Sequence, residues 1–308
     1  MGTFVPRVLS IAGTDPTGGA GIQADLKSIA AHGGYGMAVV TALVAQNTHG
    51  VRSVHTPPVS FLHEQLAAVS DDVTIDAVKI GMLGSAVIID EVDSWLGRSV
   101  APVVVLDPVM IATSGDRLLD PGAEEALGRL LYRADLVTPN LAELGALLKE
   151  PTARTWEQAL EQGSRLSAAK NVIVLVKGGH LEGTDCPDAL VDAAGRLTGN
   201  REVFEVTARR VDTANTHGTG CSMSSAMATL QSRLGDWTEA LTVTKAWLQD
   251  SLLHAGELHV GSGAGPIHHF HQLWNPTVPV PAEHPVPGRS PGVPGSDGSD
   301  ATAPTFHL

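Results

Sequence analysis

The sequence is poor in cysteine, lysine and aromatic residues. Its two cysteines, Cys186 and Cys221, exclude a disulfide framework and favour free thiols in a reducing compartment, so we expect a cytoplasmic location. Six lysines among 308 residues leave no polybasic patch for a membrane surface. Acidic residues outnumber basic ones by 33 to 20, and the net charge of −13 disfavours binding to a nucleic-acid backbone.

Long apolar runs and targeting signals are also missing. The longest apolar run, 37–45, is much shorter than the roughly 18 residues that a membrane helix needs. The first residues lead straight into a strand-like run and lack the charged region of a secretory signal. The sequence therefore predicts no contact with a membrane and no secretion.

What is present is an alternation of strand-like and helix-like segments. Several apolar runs are continuous and β-branched, which is typical of strands buried on both faces. Such an alternation predicts an α/β fold of three layers (α/β/α), with a mostly parallel central sheet. The predicted strands are 8–12, 37–45, 77–80, 103–106, 136–138 and 172–176, with an antiparallel hairpin within 187–206. The predicted helices are 20–32, 59–70, 85–96, 121–132, 141–148, 155–169, 219–234 and 236–258.

The C-terminal segment has a different composition. Residues 276–308 hold eight of the 19 prolines and no lysine, and such a segment buries too little apolar surface to offset the entropy of ordering. We therefore predict one domain over 1–275 and a disordered Pro/Gly-rich tail over 276–308.

A first glycine-rich segment, 13–21, follows the first predicted strand. Within it Gly19, Gly21 and Ala24 fit the dinucleotide pattern G-x-G-x-x-A, but no acidic residue lies between Asp25 and Glu64 to hold a ribose. A tight strand–helix turn explains the glycines better, and a third possibility is a loop that borders a small-molecule pocket. A Walker P-loop is excluded because the dipeptide Gly-Lys does not occur.

A second glycine-rich segment, 215–221, begins a predicted helix of small residues. Gly218 and Gly220 flank Thr219, and successive backbone N–H groups there predict an anion-binding nest that the helix dipole reinforces. Cys221 lies at the helix start, where we expect the pKa of a thiol to fall. The alternative for Cys221 is a buried, inert cysteine.

Polar residues follow three of the predicted strands. Asp107, the pair Asn140 and Glu143, and Lys177 each come after a strand, where carboxylates suit Mg²⁺ and a lysine suits phosphate oxygens. Together with the nest they predict a phosphoryl-transfer site, although Asn140 and Glu143 also fit a simple helix capping box. The histidines in 268–271 favour packing over metal binding, because no acidic residue or cysteine lies near them.

Taken in order, these motifs match a family. The segments SIAGTDPTGGAGIQADLK, TALVAQNT, KIGML, LDPVM, TPNLAE, VKGGH, NTHGTGC and GPIHHFH resemble the bacterial hydroxymethylpyrimidine/phosphomethylpyrimidine kinases of thiamine biosynthesis, in the ribokinase-like superfamily. The resemblance covers residues 6–274. It implies a ribokinase-like fold, a homodimer, and two ATP- and Mg²⁺-dependent steps. The first phosphorylates 4-amino-5-hydroxymethyl-2-methylpyrimidine, and the second converts the monophosphate to the diphosphate.

The resemblance also implies roles for residues. It assigns Asp25, Gln46, Met82 and Val109 to the pyrimidine pocket, Lys177 and Asn140 to ATP, Asp107 and Glu143 to Mg²⁺, and Gly218, Thr219 and Gly220 to an anion hole beside a catalytic Cys221. As a thiolate, Cys221 would take the proton of the substrate hydroxyl. The alternatives are a pyridoxal kinase on the same fold, a nicotinamide-dependent oxidoreductase, and a non-catalytic protein that senses the metabolite.

Overall fold

The computed structural model describes residues 4–99, 101–110, 118–120 and 122–274. The chain divides into a large compact unit, Met1–His271, and a C-terminal unit, Gln272–Leu308. The predicted tail, 276–308, lies outside the described residues. Within the described residues, none of the helices combines the length and the apolar character needed to cross a bilayer.

The large unit is built around one eight-stranded sheet, and a separate pair of strands lies outside it. In chain order the described strands are β1 (Arg7–Ala12), β2 (Tyr35–Val40), β3 (Leu43–Asn47), β4 (Gly50–His55), β5 (Ala77–Ile80), β6 (Val104–Leu106), β7 (Leu136–Val137), β8 (Ile173–Lys177), β9 (Asp185–Val191) and β10 (Val203–Arg209). The order in the sheet is β10-β9-β8-β7-β6-β5-β1-β2, and β3 and β4 pair separately. The strands from β8 to β2 are parallel, whereas β9 and β10 are antiparallel additions.

Helices cover both faces of this sheet. They are α1 (Gly21–Ala31), α2 (Val59–Ser70), α3 (Ala86–Leu96), α4 (Glu124–Leu130), α5 (Leu141–Leu148), α6 (Trp156–Lys170), α7 (Thr219–Leu234) and α8 (Trp237–Leu253). Alternate strand residues point to opposite faces. Leu9 and Ile11 thus belong to a core shared with α2–α6, whereas Val8 belongs to a core shared with α1, α7 and α8. The predicted three-layer α/β/α fold is confirmed.

One predicted strand is wrong as a single element. The run 37–45 breaks at Thr41 and Ala42, where the Ala42 carbonyl accepts a hydrogen bond from Thr14 and the Thr41 hydroxyl donates to the Met82 carbonyl. The chain leaves the main sheet at this point, and β3 then pairs with β4. β4 was not predicted, because most of its residues are exposed and it carries no buried apolar run.

Candidate active site

The carboxyl ends of the parallel strands carry several of the predicted site residues. Asp107 follows β6 directly and Lys177 is the last residue of β8. Gly220, in the first turn of α7, lies beside both: a Cβ built on Gly220 would be 3.6 Å from an Asp107 oxygen and 3.6 Å from Lys177 Nζ. The structure therefore brings a helix start, a carboxylate and an ammonium together at one edge of the sheet.

The predicted nest lies where α7 begins. Gly218 has a φ of +78°, and α7 starts at Thr219 without a side-chain cap. The first backbone N–H groups of a helix have no partner within the helix, and the helix dipole makes this end positive. A Cβ at Gly218 would be 1.8 Å from the carbonyl oxygen of Gly19, so only glycine fits. This end of α7 is built to receive an anion.

Asp107 and Lys177 form a mostly buried ion pair next to this nest. Lys177 Nζ lies 3.5 Å from Asp107 Oδ1, and Thr138 donates a hydrogen bond of 2.8 Å to the same oxygen. At 3.5 Å the ammonium is close enough for attraction but keeps donors for another group. Lys177 can therefore bind an anion at the nest while Asp107 offers its second oxygen.

Glu143 and Asn140 form the capping box that was the simpler alternative. The Asn140 side chain accepts from the Glu143 N–H at 2.9 Å, and Glu143 accepts from the Asn140 N–H at 2.8 Å. Burial raises the pKa of Glu143 to about 7, Lys177 opposes this shift, and the nearby Asp107 carboxylate adds to it. A carboxylate whose ionisation is disfavoured by a neighbouring carboxylate is one that a divalent cation would stabilise.

Cys221 is the third residue of α7. The residue is partly exposed, yet burial of its thiol raises the pKa to about 11, and the carboxylates of Asp25 and Asp107 raise it further. The charge of the Lys79 ammonium and the Gly21 N–H oppose this rise in pKa and favour the thiolate. The expectation of a lowered pKa is wrong, because desolvation exceeds the effect of the helix start.

An ion pair that sequence reasoning missed lies beneath Cys221. Lys79 on β5 and Asp25 on α1 are both 0 % exposed, with Lys79 Nζ at 2.8 and 2.9 Å from the two Asp25 oxygens. Ser10 and Ser225 donate to the same carboxylate at 2.6 and 2.9 Å. Burial alone would lower the pKa of Lys79, but Asp25 and the nearby Cys221 and Asp107 raise it above its ordinary value.

This ion pair places the carboxylate of Asp25 away from the predicted pocket role. The resemblance places Asp25 in the pyrimidine pocket, whereas in the structure its carboxylate belongs to the interior. A direct contact with a ligand would require it to give up one of its partners. The sequence could have predicted a buried ion pair at Lys79, because a lysine inside the apolar strand AVKI needs an acidic partner when it is buried.

Of the other predicted pocket residues, Met82 contacts the first glycine-rich segment, whereas Gln46 lies on β3 and Val109 lies beside Asp107. A Cβ on Gly13 would be 2.5 Å from the Met82 methyl group, so Met82 packs directly on that loop. Gln46 lies on β3 at a register shift and is partly buried. Val109 follows Asp107 closely, and its N–H donates to the Asp107 carbonyl at 2.8 Å.

Two further residues, Asp15 and His217, join the two glycine-rich segments. His217 Nε2 lies 2.8 Å from Asp15 Oδ2, and Asp15 is 0 % exposed. Both residues occur in the motifs described above, but neither was predicted to have a role. The only indication in the sequence was an aspartate inside a glycine-rich segment, and its partner lies too far along the chain to be predicted.

The histidines of 268–271 pack against α7 and α8. His268 and His269 are both 4 % exposed, and His269 Nε2 lies 2.8 Å from the Ser222 hydroxyl. Burial lowers the pKa of His269 to about 3, so its ring is neutral. The predicted packing role is what the structure shows. In the described part of the chain, no group of three or more His, Cys, Asp or Glu side chains is arranged to hold a metal ion.

Comparison with known families and sequences gives one consistent result. The phosphomethylpyrimidine kinase family model matches residues 15–268. The chain is 55 % identical over 276 residues to the thiamine biosynthesis multifunctional protein ThiED of Corynebacterium glutamicum, covering 88 % of this chain and 35 % of that protein. It is 51 % identical over 269 residues to the hydroxymethylpyrimidine/phosphomethylpyrimidine kinase of Salmonella typhimurium, covering 87 % of this chain and 98 % of that protein.

Solved structures of two kinases have a fold similar to that of this chain. A pyridoxal kinase from Bacillus subtilis in complex with ADP superimposes with a TM-score of 0.79 at 28 % identity, covering 88 % of this chain and 100 % of that one. A phosphomethylpyrimidine kinase from Clostridium difficile gives 0.67 at 35 % identity, covering 80 % and 98 %. The chain spans about a third of the length of the multifunctional relatives, 35 % in the case above.

Proposed function

Because the chain belongs to the phosphomethylpyrimidine kinase family, we propose that it phosphorylates 4-amino-5-hydroxymethyl-2-methylpyrimidine with ATP, and then phosphorylates the monophosphate, in thiamine biosynthesis. The observation that supports this most directly is the position of Gly220 beside Asp107 and Lys177. A nest of backbone N–H groups, a cation and a carboxylate around one point suit the transfer of a phosphoryl group.

In this proposal the nest and Lys177 bind the transferring phosphoryl group of ATP. The Gly220 N–H and the Lys177 ammonium stabilise the charge that develops on its oxygens. The Thr219 N–H donates to the Thr216 carbonyl at 3.3 Å, so it joins them only by giving up that partner. The position of Asn140 at the start of α5 supports its assignment to the nucleotide side. Gln46 and Met82 orient the pyrimidine, since an amide can both donate to and accept from an aminopyrimidine edge, and Val109 adds an apolar wall.

Asp107 and Glu143 fit Mg²⁺, because Mg²⁺ prefers a few carboxylate oxygens and otherwise retains water or phosphate ligands. The raised pKa of Glu143, about 7, supports this assignment, since a cation would stabilise the ionised form of that carboxylate. When bound, Mg²⁺ would neutralise charge on the phosphate oxygens.

Cys221 serves as the base of the first step. As the alcohol oxygen bonds to the γ-phosphorus and the bond to ADP breaks, the Cys221 thiolate takes the alcohol proton. The Lys79 ammonium and the Gly21 N–H support the thiolate form. The second step needs less help, because a phosphate oxygen is already ionised.

We further propose that the protein is a cytoplasmic homodimer. Both cysteines are free, in agreement with a reducing compartment. The separate β3–β4 pair exposes Leu43 and Val54 by 51 % and 47 %, and α2, the next helix along the chain, exposes Phe61 by 52 %. Such exposed apolar residues suit a contact between two copies. Sedimentation of the protein at several concentrations tests the dimer; a monomer at all of them would contradict it.

The activity is tested by ADP release with the pyrimidine alcohol, its monophosphate and pyridoxal, each supplied alone. We expect ADP with the first two. Turnover of pyridoxal only would favour the pyridoxal kinase alternative, which the likeness to the B. subtilis enzyme makes the competitor to exclude. Binding of the pyrimidine without ADP release would instead indicate a sensor.

A further inference from the structure

Asp15 organises the loop between β1 and α1. One of its carboxylate oxygens accepts from the N–H and hydroxyl of Thr17 at 2.9 and 2.7 Å. The other accepts from the N–H groups of Gly19 and Ala20 at 3.0 and 2.8 Å. A single buried side chain therefore fixes the conformation of most of this loop.

The same carboxylate reaches a distant part of the chain. His217 Nε2 lies 2.8 Å from Asp15 Oδ2, across 202 residues of sequence. Burial alone would raise the pKa of Asp15, but the hydrogen bonds from His217 and Thr17 lower it below its ordinary value. Asp15 is therefore an ionised acceptor, and the proton in this bond is on His217 Nε2.

The two glycine-rich segments also pack closely against each other next to this hydrogen bond. A Cβ on Gly19 would be 2.5 Å from the His217 ring, and a Cβ on Gly218 would be 1.8 Å from the Gly19 carbonyl oxygen. The His217 N–H also donates to the Gly265 carbonyl at 3.0 Å, which fixes its backbone. The backbones of the loop and of the nest therefore have little freedom to slide past each other.

Both segments carry groups of the proposed reaction. The loop ends at Gly21, whose N–H favours the thiolate form of Cys221. His217 directly precedes Gly218, the first residue of the nest. A shift of one segment against the other would thus separate the base from the phosphoryl group that the nest holds, and small misplacements of this kind are costly in catalysis.

We propose that the hydrogen bond between Asp15 and His217 is a positioning clamp that fixes the loop 15–21 against the nest 218–220. The clamp aligns Cys221 with the phosphoryl group. This inference rests on the proposed kinase function for its effect on rate, although the clamp itself is a property of the structure. In this proposal His217 acts through Asp15 and the loop, so it is a positioning residue.

A matched pair of variants separates positioning from packing. In His217→Gln the side-chain amide can still donate to Asp15, whereas His217→Leu fills similar space without a donor. His63→Leu is the control, because His63 makes a 2.8 Å contact with Glu91 but is 55 % exposed. For each variant we would measure kcat and KM for ATP and for the pyrimidine alcohol, together with the melting temperature.

We expect His217→Leu to lower kcat by about 10- to 100-fold with both KM values within about threefold of the unmodified protein. His217→Gln should recover most of this loss, and His63→Leu should show none. Equal kcat for the Leu and Gln variants would overturn the proposal. So would a loss in His217→Leu that is explained entirely by a smaller folded fraction.

Hydrogen exchange without substrates tests the clamp independently of activity. We expect faster amide exchange in peptides covering 13–24 and 212–222 for His217→Leu, and protection close to the unmodified protein for His217→Gln. Unchanged exchange in His217→Leu would overturn the clamp. Faster exchange in a protein that releases no ADP with any substrate would leave the clamp standing and refute the proposed function.

Discussion

Replacing Lys79 by methionine tests the interior ion pair beneath the candidate site. Methionine keeps the unbranched shape but removes the ammonium that binds both Asp25 oxygens. Asp25, at 0 % exposure, then has only the hydroxyls of Ser10 and Ser225 as donors. Removing one side of a buried pair costs about 3–5 kcal/mol. For a domain of this size that corresponds to a fall in melting temperature of roughly 6–20 °C.

The assay is urea unfolding, followed by circular dichroism, of Lys79→Met, Asp25→Asn and the double variant. The double variant should recover much of the loss, because it leaves no unpaired buried charge. Arg129→Met is the control: its pair with Asp90 spans 2.9 Å but is more than half exposed, so we expect a change of about 0–1 kcal/mol.

Two results would refute this reasoning. One is a loss of less than about 1 kcal/mol in Lys79→Met; the other is a double variant no more stable than Lys79→Met. The pH dependence gives a further check. Because the pKa of Lys79 is raised on folding, its contribution is fully present below about pH 10.4 and is lost as the pH rises towards the folded-state value.

Three further predictions concern the candidate site. Cys221→Ala should slow the first phosphorylation by at least about 100-fold and the second by much less; equal residual rates in an ADP-release assay would remove the base assignment. Since the pKa of the Cys221 thiol is about 11, the first step should speed up about tenfold per pH unit between pH 7 and 9, whereas the second stays flat; a flat profile for both would contradict a thiolate base. Gly218→Ala should abolish turnover, because its Cβ would meet the Gly19 carbonyl oxygen, whereas Gly179→Ala should retain it, because a Cβ there meets nothing within 4 Å; comparable activity in the two would show that the nest tolerates displacement.

The sequence predicted the elements best where a periodic pattern and a clear boundary occur together. The helices 59–70 and 141–148 have the predicted bounds, and the second begins at the capping box of Asn140 and Glu143. The run 37–45 failed because it stays apolar across the point where the chain leaves the main sheet. Apolar character alone does not show which sheet a residue joins.

The part of the site that lies at strand ends and at the second glycine-rich segment could be predicted from the sequence. Asp107, Lys177 and the nest meet because the carboxyl ends of parallel strands share one edge of the sheet. The partners of Asp25 and Asp15 could not be predicted, since they come from elements 54 and 202 residues away along the chain. The sign of the Cys221 shift was missed for a similar reason, because burial depends on tertiary packing.

The separation of Asp15 and His217 along the chain has a consequence for biosynthesis. A growing polypeptide that has left the ribosome only as far as β8 already holds the aspartate but not its histidine. It also lacks the residues that follow, up to His269, whose ring contacts Ser222. Such a nascent chain lacks one side of the contact that joins the two glycine-rich segments. Under the proposed function, phosphoryl transfer therefore has to wait until the translation machinery has delivered the last of these histidines.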